Sequence, residues 1–179
     1  MNQVPENPEE KNRSSFLSVR FLTQAAIIAG VYAALTVALA PISYGPMQAR
    51  VSEALTVLPF FTPAAVPGLF VGCLLANMIS PYGTADLVLG SLATLLAALC
   101  SYKLRSRPAL VPLPPVVFNG LIIGGMLCFV YDVQPVPDST ALSFLVDAAW
   151  VAIGEAVTCY VLGLILLHVL KRHSRIFRL

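Results

Sequence analysis

GPMQARVSEALTVLPFF, residues 45–61, places Gln48, Arg50 and Glu53 inside a chain that is otherwise overwhelmingly apolar. How this stretch is counted decides the fold. Its apolar part, 54–62, is too short to cross a bilayer alone, since a helical span takes about 20 apolar residues.

The surrounding chain leaves little choice of class. With 58% hydrophobic and 11% charged residues, its 179 residues carry more apolar surface than one globule can bury. The apolar runs are roughly 22–41, 54–62, 66–80, 85–102, 113–131 and 142–169, each bounded by Pro, Gly or charge. The first is read as a retained span rather than a signal peptide. Glu6, Glu9 and Glu10 precede it, it is longer than a usual signal core, and Pro41 follows the cleavage-like Ala38-Leu39-Ala40.

Charge placement sets the topology. Of the eleven Lys and Arg residues, all but Arg50 form three clusters: Lys11, Arg13 and Arg20; Lys103, Arg105 and Arg107; Lys171, Arg172, Arg175 and Arg178. The positive-inside rule puts all three in the cytoplasm, so an even number of crossings separates each pair. Two helices, 113–131 and 142–169, lie between the second and third clusters, joined by an outer loop with Asp132 and Asp138. Between the first and second there is too much apolar sequence for two crossings, so four are expected. The fold expected is therefore an all-α membrane protein, a six-transmembrane-helix bundle with both termini cytoplasmic. The opening stretch supplies its short second helix, 52–62, which turns at Phe61-Thr62-Pro63 and returns as 64–80. The expected division is a disordered tail over 1–18, a transmembrane domain over 19–172 and a basic tail over 173–179.

Several functions are excluded by what the chain lacks. It has no phosphate-cradling glycine loop, no His-Glu-x-x-His and no Gly-x-Ser-x-Gly. His168 and His173 both sit at the cytoplasmic end, and the four cysteines lie singly in apolar runs, as small buried hydrophobes do. No enzyme, metal or cofactor is expected.

The intramembrane polar residues are the candidate site. Glu155 follows Asp147 by eight residues, about 12 Å deeper and close to two turns on, so the two share a face with Trp150 or Val151. A carboxylate at such depth is costly and faces a partner or a wet cavity. Asn119 and Asn77 add amides that hydrogen-bond either between helices or to a ligand. Asp86 opens the fourth helix, where capping is an adequate role. Arg50 and Glu53, three apart, can pair on one helical turn at the outer mouth beside Gln48. In the first helix Ala25, Ala29 and Ala33 form one small-residue stripe and Ala26, Gly30, Ala34 and Ala38 another, surfaces that let a second helix approach closely.

ARVSEALTVLPFFTPAAVPGLFVGCLLANMISPYG, then DLVLGSLATLLAA, FNGLIIGG and AIGEAVTCYVLGLIL, resemble the QueT-type queuosine-precursor transporters. These are substrate-binding S components of energy-coupling-factor importers, and the resemblance covers residues 20 to 170. It implies a bundle that binds a nutrient near the outer face of the bacterial cytoplasmic membrane. It also implies partners: a transmembrane coupling protein and two ATPase subunits, which hydrolyse the ATP this chain has no loop to bind. In such S components an Ala-x-x-x-Ala pattern of the first helix docks on the coupling protein, and Ala25, Ala29 and Ala33 match it. The substrate class implied is a 7-deazaguanine: the 7-cyano or 7-aminomethyl base, or queuine. Its guanine-like edge suits a carboxylate, its carbonyl an Asn amide and its ring an aromatic face. Glu155, Asn119 and Asn77 are the expected polar contacts and Trp150, Tyr82 or Tyr44 the stacking face. An S component for another vitamin-like ring, or a membrane assembly protein with structural acids, are the alternatives.

Overall fold

The computed structural model describes residues 18–44, 49–133 and 135–173. Gln48 and most of both expected tails lie outside them. The described residues are helical, with no strand.

Helix α1, Val19–Ala38, starts where the Ser18 hydroxyl accepts the Phe21 amide at 3.2 Å, and gives way at Pro41. After a short connection comes a ten-residue 3-10 helix, Val51–Phe60. An α-helical register there would set the Pro59 ring against the Leu55 carbonyl. Its Glu53 carbonyl accepts instead from the Thr56 hydroxyl at 2.6 Å and the Cys159 thiol at 3.6 Å. The tighter helix rises about 2 Å per residue, so ten residues reach about 20 Å where an α-helix would reach about 15 Å. That extra reach lets the short stretch run alongside its longer neighbours.

A turn at Phe61–Ala64, pinned by Thr62 donating to Gln24 at 2.9 Å, leads into α2, Ala65–Asn77. Helix α3, Gly83–Ser106, carries a π turn at Asp86–Gly90. Helix α4, Leu113–Phe129, precedes α5, Thr140–Arg172, which carries a second π turn at Val157–Gly163. The side-chain contacts show that the direction alternates along the chain. Gly68 faces Ala25 and Gly72 faces Ala29, so α2 runs parallel to α1. Thr94 meets Cys73 while Asp86 meets Asn77, so α3 runs against α2. Gly120 and Gly124 face Ala152 and Ala148, so α4 and α5 are antiparallel. One end holds Gln24, Phe60 and Lys171, with the Lys171 ammonium 4.6 Å from the Phe60 ring centre. The other gathers Tyr44, Ala76, Tyr82 and Tyr131.

The exterior is apolar, unlike that of a water-soluble protein. Leu145, Ile153, Val157, Val161, Ile165 and Val169 recur along one exposed face of α5, and α1 exposes Val19, Leu22, Ile27, Val31 and Val37. Glu53, Asp86, Asn77, Thr94, Asn119 and Glu155 are inside. An apolar exterior, with the costly polar groups held inside among apolar neighbours, is what a bilayer selects. Four helices, α1, α3, α4 (as Pro108–Phe129) and α5, are long and apolar enough to cross one, while Val51–Phe60 and Ala65–Asn77 are shorter.

Two close approaches fix the packing. A Cβ on Gly72 would stand 2.8 Å from the Ala29 carbonyl oxygen, and one on Gly124 would stand 2.5 Å from the Ala148 Cα. Both pairs of helices touch backbone to backbone, which only glycine permits there.

Candidate functional site

The buried polar groups form two tiers. The first joins the start of the 3-10 helix to the π turn of α3. The Arg50 guanidinium stands 3.0 Å from Asp86 Oδ2 and 3.1 Å from Oδ1, and its Nε donates to the Ser43 carbonyl at 3.4 Å. Ser80 donates to the same carboxylate at 2.6 Å, and the Asn77 amide donates to the Asp86 carbonyl at 2.9 Å. Gly90 makes room for this: a Cβ there would lie 2.5 Å from Asp86 Oδ1 and 2.7 Å from Asn77 Nδ2. Charge is balanced within this tier.

The second tier is not balanced. Glu53 is fully buried and Glu155 is 1% exposed. Tyr32 of α1 donates its hydroxyl to Glu53 Oε1, and Thr94 of α3 donates to the same oxygen at 3.4 Å. Glu53 Oε2 has no partner. The Asn119 side chain of α4 interacts with both carboxyl groups. Cys159, one turn after Glu155, places its thiol 3.6 Å from Glu155 Oε2 and from the Glu53 carbonyl. Five elements thus converge on two carboxyl groups. Other unpartnered buried oxygens include Asn77 Oδ1 and Asp147 Oδ2. Since these are acceptors when ionised or amide, the interior is suited to a molecule rich in N–H donors.

The expected residues divide accordingly. Glu53, Glu155 and Asn119 come together, while Arg50, Asp86 and Asn77 form the neighbouring tier. Asp147 and Glu155 both point into the bundle, and Val151 takes the position between them. Trp150, expected at the ligand, is 50% exposed on the outer face of α5. Arg50 reaches Asp86, and Glu53 turns to Tyr32, so the expected local pair is replaced by two long-range ones. Asp86 lies in the π turn and uses its carboxylate on Arg50 and Ser80 rather than as a cap. Tyr44 donates to the Ala76 carbonyl at 2.6 Å with its ring centre 5.6 Å from the Arg50 guanidinium carbon. Tyr82 is half-buried, edge-on to Tyr131 at 5.2 Å, and packs on Ile123, Met126 and Leu127.

Ala25, Ala29 and Ala33, expected to dock a partner, lie on the face of α1 that α2 covers, with Ala29 buried and Gly68 and Gly72 against the carbonyls of Ala25 and Ala29. The adjacent stripe, Ala26, Gly30, Ala34 and Ala38, is the exposed one. Sequence reasoning missed Tyr32, Thr94 and Cys159. The signal for Tyr32 was its spacing from Thr36, which marks a polar edge on an apolar helix: Thr36 meets Ser52 at 2.6 Å. The cysteines are free, and no cluster able to hold a metal occurs among the described residues.

Residues 22–172 match the sequence profile of a family described as QueT transporter. A 72-residue segment, 39% of this chain, is 40% identical to a protein of Lactococcus lactis subsp. cremoris strain MG1363 named Queuosine precursor transporter QueT. The matched segment spans 42% of that relative's length. No solved structure matches.

Proposed function

The chain belongs to the QueT transporter family, and on that footing we propose that it is the substrate-binding S component of an energy-coupling-factor importer for a queuosine precursor. A membrane protein of this family is a transporter rather than an enzyme, and the ATP is hydrolysed by two partner ATPase subunits through a transmembrane coupling protein. The basic clusters face the bacterial cytoplasm, so the two tails over 1–18 and 173–179 are cytoplasmic and residues 19–172 form the binding domain. Four long helices, the 3-10 helix and α2 then make six passages, with the Arg50–Asp86 tier toward the outer surface. The exposed stripe of α1 is the surface for the coupling protein.

The observation that carries the substrate reading is the convergence of Glu53, Glu155 and Asn119 in a bundle core with an unpartnered carboxyl oxygen. A 7-deazaguanine offers N–H donors along one edge and, in its 7-aminomethyl form, an ammonium; a carboxyl group can meet either, and an amide reads the neighbouring carbonyl. Asn77, Asp147, Tyr82 and Tyr44 are the further proposed contacts, on the outer side of this core. Calorimetry on the purified protein with the 7-aminomethyl base, the 7-cyano base and queuine tests this directly. Saturable binding of at least one is expected, and Glu155→Gln is expected to weaken it at least tenfold. Absence of binding to all three would remove the substrate assignment.

A further inference from the structure

Resting on the reading above, we infer that a cationic substrate enters this site in exchange for a proton held by Glu53 and Glu155. Arg50 and Asp86 meet at 3.0 Å and neutralise one another. Arg50 apart, the groups that face the remaining two carboxyl groups are uncharged. Tyr32 comes from α1, Cys73 from α2, Thr94 from α3, Asn119 from α4 and Cys159 from α5. Arg50, a cation near both, is paired with Asp86.

Two ionised carboxylates cannot stay together in a core of this polarity without a compensating cation, because each loses its water and each repels the other. Without substrate they therefore remain protonated. Tyr32 and Thr94 both donate to Glu53 Oε1, and Oε2 has no partner among the surrounding groups. The ligand-facing oxygen is thus the one that carries the proton. When an alkylammonium arrives, that O–H ionises, the carboxylate pairs with the cation, and the proton leaves to solvent. Charge inside the bundle is unchanged by the exchange. The second carboxyl group keeps its proton, and the Asn119 side chain lies beside both.

The chemistry separates the candidate precursors. A 7-aminomethyl base carries a primary amine that is charged near neutral pH, so its binding releases one proton. A neutral 7-cyano base has no cation to offer and releases none.

The experiment is titration calorimetry of the full chain in lipid nanodiscs at pH 7, repeated in phosphate, HEPES and Tris. The 7-aminomethyl base is expected to show an observed enthalpy that varies with buffer ionisation enthalpy with a slope of about one proton released. Its Kd is expected to rise about tenfold per unit fall in pH, as linkage to one proton requires. The 7-cyano base and the Glu53→Gln/Glu155→Gln double variant are expected to show a slope near zero for whatever binding remains. Tight binding of the amine with zero slope would overturn the exchange while leaving the substrate assignment intact, as would equal release with the cyano base. No heat with any precursor would overturn the assignment itself.

Discussion

Arg50 Nη2 stands 3.0 Å from Asp86 Oδ2, an ion pair that ties the start of the 3-10 helix to the π turn of α3 across 36 residues of sequence. Both side chains are almost entirely buried. Removing one partner of such a pair leaves a bare charge and costs about 3–5 kcal/mol, while replacing both with apolar groups costs far less. Asp86→Leu is therefore expected to lower the thermal midpoint in detergent more than Arg50→Met with Asp86→Leu together. A double variant at least as unstable as the single one would mean the pair contributes net stability.

Tyr32 is the Glu53 partner on α1. Tyr32→Phe keeps the ring and removes the donor, so a loss of about 1–3 kcal/mol is expected for leaving a buried acceptor less satisfied. Thr94→Val, whose contact is 3.4 Å, is expected to lose less. Chemical unfolding of both variants in micelles checks the order.

The contact of Gly124 with Ala148 predicts that Gly124→Ala forces α4 and α5 apart, at a cost of about 1–3 kcal/mol. Gly30, in the same kind of helix, has open space where a Cβ would go. Gly30→Ala is expected to leave stability unchanged or raise it by up to about 1 kcal/mol. Thermal midpoints measured side by side decide it.

Trp150 is the single tryptophan of the chain and looks outward from α5. Its fluorescence is expected to be quenched by brominated lipid, and Trp150→Phe is expected to bind substrate within twofold of the parent. A tenfold loss would bring Trp150 back to the binding surface.

The orientation is tested by accessibility. In a cysteine-free background on intact cells, Val133→Cys is expected to react with a membrane-impermeant maleimide and Ser106→Cys only after the cells are opened. The reverse pattern would invert the topology.

Much of this was legible in the linear chain because its causes are local or additive. Apolar content points to a bilayer, and counting crossings between the basic clusters calls for a short helix at 52–62, where the structure has the helix Val51–Phe60. The eight-residue spacing likewise places Asp147 and Glu155 on one inward face. What the chain could not decide was which polar groups meet. Local spacing offered Arg50 to Glu53, three residues away, but folding presents Arg50 with Asp86 from another helix and Glu53 with Tyr32. Periodicity marked two small-residue stripes on α1 without choosing between them, and the glycines of α2 settle which is covered. Trp150 or Val151 were equally good by spacing, and the packing of α4 against α5 turns Val151 inward. Hydropathy and charge act through solvent and can be summed along a sequence, whereas a hydrogen bond or a backbone contact needs two distant segments at one point, which only the tertiary structure supplies.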